Sequence, residues 1–363
     1  MTDVDDLAVE EPVEVPHQAE PVDPDAGPER PPLMALRGVS QVFRTKSGPI
    51  PAVRDVSLAL DEGQVLCLVG ESGCGKTTTA RMAAGLAEPS DGAIEYKGVD
   101  LAAMNSRQRT EFRRSVQFVH QDPYASLNPI RTVYSTLASP LRKHGIAATK
   151  QEAWDAAAAL LEQVDLTPAE NYLTKYPHQL SGGQRQRVAV ARSLTLRPRL
   201  IIADEATSML DVSIRVGVLR TLTKLRKDLG VGFVFITHDL AIARYFAAEG
   251  HMAVMYLGRV VEYGRTTDII DDPQHPYTKA LLAAVPEIDP TNRLDHTTHI
   301  TGVDIPSLTA LPSGCTFHPR CPIARDGDCH EVEPQLTDVD GGRRVACHVV
   351  AETTGAVASG GGD

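Results

Sequence analysis

The apolar pentapeptide VLCLV, residues 65–69, runs straight into GESGCGKT, Gly70 to Thr77, and then into the helical stretch TTTARMAAGLA. A G-x-x-x-x-G-K-[ST] loop between a buried strand and a helix start commits this part of the chain to an α/β arrangement built around a phosphate. The glycines let main-chain N–H groups wrap phosphate oxygens, Lys76 neutralises charge, and Thr77 offers its hydroxyl to Mg²⁺. Gly70, Ser72, Gly73, Gly75 and Thr78 complete the cradle.

Four more apolar runs share the strand signature: VQFV (116–119), LIIA (200–203), FVFI (233–236) and AVMYL (253–257). Continuous apolar character indicates strands covered on both faces. Between them lie helical periods. In SIRVGVLRTLTKLRKDLG the apolar positions Ile214, Val218, Leu222, Leu225 and Leu229 share one face, and Gly230 supplies a C-cap. Alternating strands and helices predict a mostly parallel sheet between helical layers. Residues from about 125 to 180, including QEAWDAAAALLEQV (151–164), predict a helical insertion. From about 270 the chain becomes proline-broken and cysteine-containing, and ETTGAVASGGGD (351–363 region) predicts a flexible tail.

Charge sharpens the division. Of the net −11, residues 1–30 contribute −9, with five prolines and few large apolar side chains. Such a stretch buries too little surface to offset its ordering entropy, which predicts a disordered acidic tail over 1–32. The remaining 333 residues sit at −2, without the basic footprint of a nucleic-acid binder. No apolar run approaches membrane-spanning length, and no secretory signal opens the chain. A cytosolic chain keeps its cysteines reduced or metal-bound.

Three further motifs carry chemistry. RLIIADEATSMLD (199–211) puts Asp204 and Glu205 at the end of an apolar strand, suited to holding Mg²⁺ and polarising a water. FVFITHDL ends on His238, within reach of a γ-phosphate if its strand lies beside the one carrying Glu205. VQFVHQDP presents Gln121 in the same way, near Mg²⁺ and the attacking water. LSGGQRQRVAVARSL (180–194) opens a second helix with paired glycines, another start suited to an anion.

Taken together, GESGCGKT, the Gln121 loop, LSGGQ (180–184), LIIADE, SMLD (208–211) and His238 resemble an ATP-binding cassette (ABC) ATPase over about residues 33–270. The resemblance implies a parallel-sheet core, an antiparallel β subdomain and a helical insertion. It assigns Lys76 to the β- and γ-phosphates, and Thr77, Gln121 and Asp204 to Mg²⁺. It makes Glu205 the base, His238 the γ-phosphate sensor and Phe43 the adenine stack. It also implies head-to-tail pairing, in which Ser181, Gly182, Gly183 and Gln184 face ATP held by a second ATPase subunit, with Asp211 at the shared interface. QDPYASLNP (121–129), HPYTKALLAAVP (275–286) and GCTFHPRCP (314–322) resemble ATPase subunits of oligopeptide, dipeptide and nickel importers. Two separate permease subunits and an extracytoplasmic binding protein are then expected, with this chain peripheral on the cytoplasmic membrane face. A permease helix is expected in a cleft near the Gln121 loop. SMLDVSIR also resembles relatives that import oligosaccharides, and Met209 stands where Ala is usual. The competing reading is a soluble ABC ATPase acting on DNA or ribosomes.

Cys315, Cys321, Cys329 and Cys347 gather in the extension over 271–350, separated by five, seven and seventeen residues. Such a set binds zinc or an iron–sulfur cluster, or packs as free thiols. The absence of C-x₂-C pairs argues against structural zinc. The importer resemblance adds to that argument and makes [4Fe–4S] the expected occupant.

Overall fold

A computed structural model describes residues 31–46, 48–122, 126–284, 300 and 304–355. The expected acidic tail lies almost wholly outside these residues, as do residues 123–125 of the Gln121 loop and 356–363 of the expected flexible tail.

The chain begins with β1 (Met34–Thr45) and β2 (Gly48–Leu60), followed by β3 (Val65–Val69) and α1 (Lys76–Ala83). Next come β4 (Asp91–Tyr96), β5 (Val99–Asp100), α2 (Ser106–Ser115) and β6 (Val116–Val119). The helical insertion holds α3 (Val133–Lys143), α4 (Lys150–Gln163) and α5 (Glu170–Leu173). It leads into α6 (Gly182–Leu194), β7 (Leu200–Asp204), α7 (Val212–Leu229), β8 (Gly232–Ile236), α8 (Leu240–Phe246), β9 (His251–Tyr256) and β10 (Arg259–Arg265). Helix α9 (Thr266–Asp271) closes the cassette, and the chain beyond it adds α10 (Pro276–Ala283), α11 (Asp328–Glu331), β11 (Thr337–Asp338), β12 (Arg344–Val345) and α12 (His348–Thr354).

Two sheets form. The smaller, β2-β1-β4-β5, is antiparallel throughout. The larger runs β11-β12-β10-β9-β3-β8-β7-β6. Its segment β9-β3-β8-β7-β6 is parallel. Side chains alternate across β3: Cys67 and Val69 enter the core shared with the helical insertion, whereas Leu66 and Leu68 enter the core beneath the antiparallel sheet. Both faces are therefore dry, which is why these strands read as unbroken apolar runs.

The insertion helices start on hydroxyl caps. Thr132 accepts from Ser135 N–H and Thr149 from Glu152 N–H. Their buried faces, Leu137 and Leu141 on α3 and Ala153, Ala157 and Leu161 on α4, join the core that covers the sheet. Gly230 ends α7 in the left-handed conformation, as its position predicts.

Two features depart from the sequence reading. Strands β11 and β12 of the extension complete the large sheet, with Glu262 opposite Val345 and Tyr263 opposite Arg344. A two-residue strand has no periodicity to read, so only pairing with β10 reveals it. The helix α12 carries regular structure through Thr354, into the stretch expected as tail, because Val350 packs with Val345 and Cys347.

Candidate active site

The order β3-β8-β7-β6 puts four strand ends side by side. Leu68 is in register with Ile236, Asp204 with Ile236, and Val119 with Ala203. The phosphate loop, His238, the Asp204–Glu205 pair and Gln121 therefore emerge along one edge, where open α/β sheets bind ligands.

The loop backbone accepts no side chain at two points. Gly70 (φ 147°) would place a Cβ 2.2 Å from Met255 O, and Gly75 (φ 106°) one 2.4 Å from Ala52 O. Lys76, 5% exposed, donates to Gly70 O (2.7 Å) and Glu71 O (2.9 Å). Ser72, Gly73 and Thr77 are exposed, and Thr78 is half-buried.

Thr77 Oγ1 donates to Asp204 Oδ1 at 3.0 Å, joining the start of α1 to the end of β7. Burial pushes the Asp204 carboxyl above its ordinary pKa; the Thr77 bond pulls it back and the Glu205 carboxylate adds to the rise. Glu205 sits at φ 44°, a conformation that a non-glycine residue rarely adopts, and its N–H donates to Ile236 O at 3.1 Å. That geometry turns its side chain towards two neighbours. Gln121 Nε2 donates to Glu205 Oε2 at 2.9 Å, and His238 Nδ1 lies 3.5 Å from Glu205 Oε1. His238 and Gln121 face solvent.

Ser181 caps α6. Its Oγ accepts from Gln184 N–H (3.3 Å), and Gln184 Oε1 accepts from Ser181 N–H (3.0 Å). The box leaves Gly182 and Gly183 as the first amides of the helix, whose N–H groups have no partner within it. Gly183 is forced by packing: a Cβ there would lie 2.3 Å from Ile214 Cγ2 on α7. Among the described residues, no hydrogen bond or ion pair joins Ser181–Gln184 to the phosphate loop or to Glu205. Asp211 is exposed at the start of α7 with no side-chain cap bond, and Met209 beside it is 61% exposed. Phe43 on β1 is 44% exposed, so it is not a core residue.

The four extension cysteines line one cavity of about 10 Å³, together with His275, Phe317, His318 and His348. Burial pushes the Cys315 thiol up to about 12 and the Cys321 thiol up to about 11. Main-chain N–H groups pull the other way: Phe317 on Cys315, Ile323 and Ala324 on Cys321, Val350 and Val349 on Cys347. Convergence is not ligation, however. Among the described residues, no three His, Cys, Asp or Glu side chains stand spaced to hold a metal ion. The four thiols expected as iron–sulfur ligands are thus gathered at one cavity without the spacing of a metal site.

Sequence reading passed over three residues at the loop. Tyr277 and Arg320, both from the extension, bond to Glu71 inside GESGCGKT. HPY and HPRCP stand out as motifs, but no local pattern ties them to a loop 206 and 249 residues away.

A parallel sheet with a phosphate loop, a strand-end acid pair and a second glycine-started helix beyond a helical insertion defines a nucleotide-hydrolysing cassette. The ABC transporter family matches residues 53–208, and the oligopeptide/dipeptide transporter C-terminal region matches residues 261–329. A putative peptide import ATP-binding protein of Brucella abortus (strain 2308) is 43% identical over 316 residues, covering 87% of this chain and 97% of that protein. The dipeptide transport ATP-binding protein DppF of Haemophilus influenzae is 41% identical over 325 residues, 88% of this chain and 97% of its own. The putative oligopeptide transport ATP-binding protein YkfD of Bacillus subtilis (strain 168) is 39% identical over 319 residues, 88% and 95% of the two chains. Among solved structures, a dimeric ATP-binding cassette in a post-hydrolysis state with ADP and Pi superposes with TM-score 0.58 at 28% identity, covering 64% of this chain and 98% of that one. The chain belongs to the ATP-binding subunits of ABC transporters, in the group carrying the oligopeptide/dipeptide C-terminal region, and is an ABC-type ATPase.

Proposed function

We propose that this chain hydrolyses ATP to drive import of peptides through separate permease subunits, docking on the cytoplasmic face of the membrane. The shared sheet edge carries the reading: one line of strand ends bears a phosphate loop, an acid pair, a glutamine and a histidine. Lys76 takes the β- and γ-phosphates, Ser72 and the glycine amides wrap them, and Phe43 stacks on adenine. Thr77, Asp204 and Gln121 supply oxygen donors of the kind that suit Mg²⁺. The ion supplies charge neutralisation between the phosphates. Glu205 removes the proton of the attacking water while Gln121 orients both, and His238 reads the γ-phosphate. The amides of Gly182 and Gly183, with Ser181 and Gln184, hold the γ-phosphate of a second ATPase subunit, and Asp211 lines that interface. A helix start favours such an anion by about 0.3–1 kcal/mol.

The permease contact is a groove of about 560 Å³ lined by Phe118, His120, Asn128, Arg131, Pro140 and Arg192. His120 adjoins Gln121, so an occupant of the groove acts directly on the catalytic loop. Among the described residues, no helix is long and apolar enough to cross a membrane. Peptide is favoured over oligosaccharide because the relatives in hand are named for peptides. The test is co-expression with a candidate permease pair. Membrane recovery and ATPase activity that both depend on the permease support the reading; partition with nucleic acid or ribosomes would overturn it.

Cys315, Cys321, Cys329 and Cys347 hold a [4Fe–4S] cluster that fixes the extension's fold. Support comes from the four thiols meeting at one cavity and the main-chain N–H groups aimed at three of the sulfurs. Anaerobically purified protein should carry roughly four irons per chain and absorb broadly near about 400 nm. One zinc per chain, or no metal, would sink the cluster and leave the ATPase reading untouched.

A further inference from the structure

Among the described residues, the extension's hydrogen bonds to the phosphate loop converge on Glu71. Its N–H donates to the Tyr277 hydroxyl at 2.9 Å. Its carboxylate accepts two bonds from Arg320, Nη1 to Oε2 at 3.0 Å and Nη2 to Oε1 at 3.1 Å. Its carbonyl accepts from Lys76 Nζ at 2.9 Å. One loop residue is thus held through its donor, its acceptor and its side chain.

The holding groups are themselves fixed. Tyr277 is 1% exposed and Arg320 5%. The Arg320 guanidinium lies 5.8 Å from the Tyr256 ring centre and 5.7 Å from that of Phe317. Tyr256, Tyr277 and Phe317 pack ring against ring, with centres 4.6, 5.3 and 5.5 Å apart. A bidentate pair fixes the orientation of the carboxylate as well as its charge.

Two consequences bear on nucleotide. A loop with left-handed glycines at 70, 73 and 75 has little stiffness of its own. Holding it ahead of binding removes an ordering cost from the binding step. A carboxylate inside a phosphate cradle would also repel the ligand, and Arg320 cancels that charge.

We propose that Arg320 and Tyr277 are positioning residues for nucleotide, acting through Glu71 to keep the phosphate loop ordered and free of uncompensated negative charge. The proposal rests on the loop being the ATP site. It makes the C-terminal extension part of the nucleotide machinery rather than an appendage.

The experiment uses the full chain and measures Kd for MgATP by fluorescence titration, kcat at saturating ATP, and thermal unfolding of each variant. Arg320→Gln should raise Kd about tenfold, with the loss falling on Kd rather than kcat. Adding Glu71→Gln to that variant should recover most of the affinity, since no charge is then left unpaired. Tyr277→Phe, which loses only a hydroxyl, should raise Kd about threefold and keeps the test open should Arg320→Gln not fold. Parental Kd in both Arg320→Gln and Tyr277→Phe, or a double variant that binds worse than Arg320→Gln alone, overturns the proposal. Lys76→Ala separates the levels. If it binds ATP normally, the loop is not the nucleotide site; if it alone fails to bind, only the clamp is wrong.

Discussion

Gln121 Nε2 donates to Glu205 Oε2 at 2.9 Å, linking the residues that follow β6 and β7 across neighbouring strand ends. Whatever moves the Gln121 loop therefore moves the carboxylate placed to act as base. His120, next to Gln121, lines the groove proposed above for the permease, so the bond connects that groove to the Glu205 carboxylate.

Glu205→Gln keeps the shape and the Gln121 contact but removes the carboxylate proposed as the base. ATP binding should persist while turnover falls at least about a hundredfold, the scale of general-base loss. Size-exclusion chromatography with ATP should show a trapped dimer. Near-parental turnover would remove Glu205 from the mechanism.

Lys76→Ala and Ser181→Arg break two halves of one composite site if Ser181 works on a partner's ATP. Each should be inactive alone. Mixed, they should regain some ATPase activity through heterodimers with one intact site. Should Ser181→Arg abolish ATP binding in isolated monomers, Ser181 acts within its own chain. If the natural partner is a different subunit, the same pair of substitutions belongs in that heterodimer.

Gly183→Ala would push a methyl into Ile214 Cγ2, at 2.3 Å before relaxation. Overpacking of this kind costs about 1–3 kcal/mol. Adding Ile214→Ala removes the clashing carbon, so the double variant should lose less stability than the two singles summed. Strict additivity in urea unfolding would mean that α6 and α7 do not meet there.

Protonation of His275 is expected to weaken the extension. It is 1% exposed, its Nδ1 accepts from Tyr277 N–H at 3.0 Å, and burial drives its pKa down to about 3, with a bond to the Ala346 main chain pulling the other way. A base with a depressed folded pKa leaves stability intact above the unfolded value of 6.5 and removes it as pH falls from there towards about 3. Between pH 7.5 and 5.5 His275 should account for a loss of about 1.4 kcal/mol. His275→Gln should show a fall smaller by that amount; burial lowers His120 and His251 too, so some fall remains. An unchanged pH dependence in the variant would place His275 in contact with water.

Local chemistry made much of this protein legible. VLCLV, VQFV, LIIA and FVFI are apolar because both faces of their strands are covered, and each emerges as a strand within a residue of its run. GESGCGKT, LSGGQ and the Asp204–Glu205 pair could be read because loop conformation, helix capping and strand-end placement are short-range properties, written in adjacent residues. The residue types at the site follow from the same reasoning.

Tertiary structure alone decided which of these motifs meet. Strand order brings Gln121 to Glu205 over 84 residues and Thr77 to Asp204 over 127, and no local pattern encodes strand order. Pairing with β10 turned two-residue segments of the extension into sheet. Burial converted Arg320 and Tyr277 from motif letters into partners of Glu71. The cysteines show the difference most plainly. Their number and spacing in sequence pointed to a metal, and the fold brought them to one cavity. Ligand geometry needs sulfur atoms placed to within tenths of an ångström of a common centre, a precision that spacing along the chain does not encode.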